Sequence, residues 1–136
     1  MDKDIVLTLE GTQIDPDGNK NTDTTKETGK YYFKNNTHFV MTEDEALAHS
    51  ARYKFNHRFL EVIKNGDINS KMYFEAGKEY SSIYRTPYGR MPLTFKTSSL
   101  TIIEKADTIE VSASYSLFSE DNLISNNQIK ITINSK

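Results

Sequence analysis

The 136-residue chain contains no cysteine. That excludes a disulfide framework, a thiolate metal site and a cysteine nucleophile, and it suits a reducing compartment. An excess of one charge sign is also missing: seventeen Lys and Arg oppose nineteen Asp and Glu, a formal net charge of -2. Nothing in that balance draws the protein strongly to nucleic acid or to anionic lipid. No run approaches the ~20 apolar residues needed to cross a bilayer as a helix. The start, Met1-Asp2-Lys3-Asp4 running into Ile5-Val6-Leu7, lacks the basic and apolar regions of a secretory signal. The expectations are a cytoplasmic protein, with no nucleic-acid partner and no membrane partner.

What is present is alternation. Ile109, Val111, Ala113, Tyr115 and Leu117 interleave with Thr108, Glu110, Ser112, Ser114 and Ser116. Successive side chains of a strand point to opposite faces, so this pattern predicts a half-buried strand with one wet side. Ile129, Ile131 and Ile133 repeat it near the C-terminus, and Ile5, Leu7 and Leu9 do so near the N-terminus.

Turn chemistry separates further strands. Asp15-Pro16-Asp17-Gly18 divides the first from a second, Thr22 to Lys34, and Asn35-Asn36 turns that into a third through Phe39 and Met41. Thr42-Glu43-Asp44-Glu45 has the form of a capping box before Ala46-Leu47-Ala48, which predicts at most a short helical turn. The thirteen residues Arg52 to Lys64 exceed an ordinary strand, so a turn at Asn56-His57-Arg58 splits them. Asn65-Gly66 predicts a two-residue type I′ hairpin with Ile63 facing Ile68 and Lys64 facing Asp67. Strands follow through Met72 and Phe74, and through Tyr80, Ser82 and Tyr84, before the turn Thr86-Pro87-Tyr88-Gly89. Leu93 and Phe95 begin the next strand, continuing towards Leu100 and Ile102. Ala106-Asp107 turns into the strand at 108–118, and Asp121-Asn122 with Ser125-Asn126-Asn127 precedes the last.

The sum is one domain, residues 1–136, an all-β meander of about eight to ten antiparallel strands. Tight connections make sequence neighbours spatial neighbours. Pairing the first strand with the last would remove both exposed edges, which predicts a closed up-and-down barrel.

Three segments carry a family likeness: Lys64-Asn65-Gly66, Met72-Tyr73-Phe74-Glu75-Ala76-Gly77 and Thr86-Pro87-Tyr88-Gly89. Together with Gly29-Lys30-Tyr31-Tyr32 and Glu43 they resemble the YwiB-like family of small bacterial proteins of unknown function. The likeness runs from about residue 3 to 134 and implies a calycin-type, lipocalin-like barrel; it implies no activity. Lys64 stands where that family usually has arginine, and Ala48-His49-Ser50-Ala51-Arg52 replaces a Thr- and Gly-rich stretch. With no tryptophan in the chain, the Gly-x-Trp motif of true lipocalins and the tryptophan stacking of biotin-binding barrels are both missing. The short loop around Asp15 has no room for the helical lid of fatty-acid-binding proteins.

Candidate chemistry is sparse. Aligned on a calcium loop, Gln13, Asp15, Asp17, Gly18 and Asn19 put Thr24 where a bidentate glutamate belongs, so a polar hairpin loop is the better reading. His38, His49 and His57 are expected at the surface, and Glu43, Asp44 and Glu45 are adjacent in sequence only. No catalytic constellation, metal or cofactor is expected, and the chain reads as a binding module rather than an enzyme. Arg52, Lys54, Arg58 and Lys64 interleaved with Tyr53, Phe55 and Phe59 mix charge and stacking as nucleic-acid binders do, but the expected reading is plain alternation, with aromatics pointing in and cations out.

The interior holds the remaining interest, since an eight-stranded barrel is just wide enough to fill with side chains or to hold one small ligand. Tyr31, Phe33, Phe39, Phe55, Met72, Phe74, Phe95 and Tyr115 are expected to point inward. Tyr80, Tyr84, Arg85, Tyr88 and Arg90, with Lys64 at a hairpin end, are the candidate ligand-binding residues. They predict an aromatic, cationic mouth for a small amphipathic or anionic molecule. The competing expectation is a solid-core interaction module, homodimeric or docking a partner through Tyr32, Tyr73 and Phe118.

Overall fold

A computed structural model of the chain describes residues 3–44, 49–67 and 69–136. The strands are β1 (Lys3–Ile14), β2 (Lys20–Lys34), β3 (Thr37–Asp44), β4 (His49–Phe55), β5 (Leu60–Asn65), β6 (Ser70–Phe74), β7 (Glu79–Thr86), β8 (Gly89–Glu104), β9 (Thr108–Ser119) and β10 (Asn122–Ser135). All pairings are antiparallel, in the order β6-β5-β4-β3-β2-β1-β10-β9-β8-β7. The described residues include no helix, hence none long and apolar enough to cross a membrane. The capping-box segment becomes strand as far as Asp44, and Glu45 to Ala48 lie outside the described residues.

The first and last strands pair as anticipated, from Ile5 opposite Ser135 to Ile14 opposite Asn126. Their inward residues Leu7 and Ile133, and Leu9 and Ile131, therefore face each other in one layer. Closure is nearly complete rather than complete. Among the described residues no ladder joins β6 to β7; Asn69 and Arg85 form a bridge there by exchanging two backbone hydrogen bonds of 3.0 and 3.2 Å. The connection after β6 turns towards β8 instead, where Gly77 N–H donates to the Thr97 carbonyl at 2.9 Å.

Turn chemistry sets most registers. Asn35 and Asn36 adopt φ of 53° and 57° between paired Lys34 and Thr37, and the Asn56 side-chain oxygen accepts from the Arg58 and Phe59 amides where the long segment divides. Asn65-Gly66 departs from expectation: Ile63 faces Lys71 and Lys64 faces Ser70, while Ile68 lies outside the described residues. The type I′ register would set Leu60 against Lys71. The observed one sets Leu60 against Phe74 and Val62 against Met72, so apolar matching across the inner face overrides the local turn preference. The last turn falls one residue earlier than anticipated, at Glu120-Asp121, and Ser125 to Asn127 belong to β10 after a bulge between Leu123 and Ser125.

Phe55, Met72, Phe74 and Phe95 are buried in the barrel, and Tyr115 packs against them. Phe33 is on the inner side but close to the rim, where it remains 46% exposed. Phe39 was expected inside and is not. The register fixed at Asn35-Asn36 makes it the outward partner of Tyr32, on which it stacks at 4.8 Å, and sends His38 and Val40 inward. Tyr32, Tyr73 and Phe118 are each half-buried: Tyr73 stacks on Phe59 at 5.6 Å, and Lys96 Nζ sits 4.6 Å over Phe118.

Gly29 is required by a close approach of strands. A Cβ there would lie 2.2 Å from the Met41 carbonyl oxygen and 2.9 Å from Thr42 Cγ2. Because the obstacle is backbone, Gly29→Ala is expected to lower stability by about 1–3 kcal/mol, measured as a reduced urea midpoint with unchanged slope.

Candidate functional site

The barrel end where β1 gives way to β2 is hollow. A cavity of about 300 Å³ is bounded there by Leu9, Met72, Leu117 and Ile129 on its apolar sides and by Gln13, Lys64, Tyr84, Tyr115 and Asn127 on its polar ones. Lys64 reaches it by parity: Leu60 and Val62 point inward, so the next residue of that face does too, at the last turn of β5 where the core ends.

Tyr115 is wedged by its ring against Phe74 at 4.7 Å and Phe95 at 5.7 Å. Burial, reinforced by the neighbouring Tyr84, pushes its phenol up to about 12, and a side-chain hydrogen bond with Asn127 partly opposes this. Burial likewise raises the Tyr84 phenol, against a hydrogen bond with Ser70. Asn127 Oδ1 is buried and has no hydrogen-bond partner among the described residues. A buried carbonyl without a partner costs on the order of 1–3 kcal/mol, so the position calls for a donor.

Gly11 explains why the cavity exists. It continues the inward series Ile5, Leu7, Leu9, where a fourth large side chain would fill the space. A Cβ there meets nothing within 4 Å, and φ is not in the positive region, so neither packing nor backbone geometry requires glycine. In a strand interior such a glycine often marks the approach of another molecule.

The six residues singled out from the sequence divide between places. Lys64 and Tyr84 line the cavity. Lys64 also borders, with Tyr80 and Arg85, a wider open groove of about 740 Å³ beside the β6–β7 gap, whose far side carries Glu120 and Asp121. Tyr88 stands wholly exposed at the hairpin tip, and Arg90 is exposed opposite Arg85; neither lines cavity or groove. Gly11, Gln13 and Asn127 were missed. The signal was parity, since Gly11 follows Leu9 and Asn127 precedes Ile129 on the inward face.

A family model described as a domain of unknown function, DUF1934, matches residues 7–131. The chain belongs to the DUF1934 family. The DUF1934 fold seen here is similar to the crystal structure of the ywiB protein from Bacillus subtilis, with a TM-score of 0.84 at 20% identity over 99% of this chain and 93% of that one. No curated protein matches the chain.

At the opposite end of the DUF1934 barrel lies a feature the sequence reading placed wrongly. His38 was expected at the surface and is 5% exposed. Its ring is stacked on Phe55 at 4.8 Å and flanked by Phe33 at 4.8 Å, and both nitrogens are engaged. Nδ1 is 2.8 Å from Tyr31 Oη, and Nε2 is 2.6 Å from Glu104 Oε1. Four strands separate β3 from β8 in either direction around the ring, so His38 and Glu104 join opposite walls across the barrel end. His57, at the surface as expected, approaches the other Glu104 oxygen at 3.9 Å. His49 is partly exposed at the start of β4, 3.9 Å from Asp67.

Proposed function

We propose that the protein is a cytoplasmic, lipocalin-like binding module that holds one small anionic, amphipathic molecule in the cavity at Lys64. The observation that carries the reading is Gly11, a residue that leaves space open where neither backbone nor packing asks for it. Lys64 has no ion-pair partner among the described residues, so its ammonium is available to an anionic head group. The hydroxyls of Tyr84 and Tyr115 and the Asn127 amide supply the few polar groups that fix orientation in a mostly apolar site. The size lies at the lower limit of ordinary ligand sites, about 300 Å³. The missing cysteines accord with a reducing interior.

Gly11→Ile provides the test, with anilinonaphthalene sulfonate as the anionic amphipathic probe. The wild-type protein is expected to bind one equivalent saturably, and Lys64→Met to bind at least about tenfold more weakly, the loss of roughly 1.4 kcal/mol. Gly11→Ile is expected to abolish binding while raising the melting temperature by a few degrees, since strand glycine costs roughly 0.5–1 kcal/mol against a side chain that fits. Undiminished dye binding by Gly11→Ile would overturn the proposal.

A further inference from the structure

The second barrel end carries a chain of groups that the binding reading does not use. Tyr31 on β2, His38 on β3 and Glu104 at the end of β8 form one hydrogen-bonded line beside a cavity of about 210 Å³. That is the space of about seven waters. The cavity is also lined by Lys3, Lys105 and Asp107, with Ile5, Ile109 and Ile133 as its apolar floor.

The proton positions follow from what each group can do. A carboxylate only accepts, so the His38 Nε2–H donates to Glu104. Nδ1 is then the basic nitrogen, and the Tyr31 hydroxyl donates to it. The two flanking rings hold the imidazole in this orientation. Neither histidine nitrogen is left for a ligand, so the outermost group of the line is the Tyr31 oxygen, which retains a lone pair. A carboxylate fixing an imidazole that in turn serves a hydroxyl is the arrangement general-base relays use.

We propose that this end of the barrel is an acid–base centre that moves a proton on a small carbon acid bearing a carboxylate, with Tyr31 as the catalytic residue and His38 and Glu104 as its positioning and proton-accepting partners. The substrate C–H bond breaks, its proton goes to the Tyr31 oxygen, and the Tyr31 hydroxyl proton passes to His38 Nδ1. The electron pair of the broken bond stays on the substrate as an enolate. The positive charge formed on His38 faces the Glu104 carboxylate, and Lys3 and Lys105 offset the substrate's negative charge. Reversal returns a proton, the original one or one exchanged with solvent, to the same carbon, so no redox partner or covalent intermediate is needed. In the resting state burial holds His38 below the ordinary histidine range, with His57 adding to that lowering, while the hydrogen bond and charge of Glu104 oppose it. His38 is therefore neutral and able to accept near neutral pH.

The test is exchange of solvent deuterium into pyruvate and acetoacetate, followed by proton NMR. Expected is exchange about 100-fold above buffer, within the range of positioned acid–base groups. It should fall to background in Tyr31→Phe, fall less in Glu104→Gln, and rise with pH through a midpoint below 6.5, the free-histidine value. Cooperative thermal melts are the check that both variants fold. Nitrogen-15 NMR of His38 in the unmodified protein gives a readout independent of mutation: a protonated Nε2 and bare Nδ1 are expected. The opposite tautomer, or exchange no faster than buffer with both probes, overturns the proposal.

Discussion

Phe74→Ala is expected to lower stability by about 3–5 kcal/mol, the range for truncating a fully buried phenylalanine. Phe74 is completely buried, edge-on to Phe95 at 5.8 Å and against Tyr115 at 4.7 Å. Its strand has five residues and a ladder on one side only, to β5. With no ladder to β7 among the described residues, β6 is held against the far wall mainly by its inward apolar pair, Met72 and Phe74, beside the Ser70–Tyr84 hydrogen bond. Removing the ring leaves a void and loosens the strand that completes the barrel. Domains of this size are stable by about 5–15 kcal/mol, so the variant would sit near the edge of folding. Urea titration gives the number, and Phe74→Leu should retain more than half of the lost stability. A Phe74→Ala cost under about 1 kcal/mol would mean that the ring is not packed as described.

Alkali is expected to unfold the protein cooperatively. The unfolded Tyr115 phenol ionises near pH 10, whereas the folded one is pushed up to about 12. The fold thus favours the neutral form. Its stability is intact below pH 10 and is lost as pH rises through about 12, by roughly 2–3 kcal/mol for this residue at 1.36 kcal/mol per unit. Tyr53 acts in the same direction and more strongly, because it is buried and its hydroxyl donates to Glu27 at 3.0 Å. Phenolate absorbance should therefore show a late group appearing together with loss of the β-sheet circular dichroism signal. Tyr115→Phe should shift the unfolding midpoint to higher pH. Simple titration of all eight tyrosines near pH 10, with structure retained, would contradict the packing.

Architecture was legible because it rests on local rules. Period-two patterns located the strands, Asn35-Asn36 and Asn56 marked turns, and the matched Ile-rich ends foretold the β1–β10 pairing. The β5–β6 register was not, because Asn65-Gly66 pointed one way and inner-face packing between Leu60 and Phe74 decided otherwise. Phe39 was misplaced because an aromatic on a strand was taken as inward, although Tyr31 and the two-residue turn already imply the opposite parity. The two candidate sites differ in kind. Lys64 and Tyr84 were found from their nearness to turns, and Gly11 was recoverable from alternation. His38 was not, since Glu104 is 66 residues away in sequence and arrives from the facing wall.

The missing ladder between β6 and β7 also gives the barrel a seam. Elsewhere, parting two strands means breaking a row of backbone hydrogen bonds, but here, among the described residues, the Asn69–Arg85 pair supplies the backbone bonds, helped by the Tyr84–Ser70 side-chain hydrogen bond and the contact of the Tyr73 and Tyr80 rings. Lys64 stands beside that clasp, common to the cavity within and the groove without. On the binding reading proposed above, this seam would be the guest's way through the side wall, with a cation at its threshold and few backbone bonds to part.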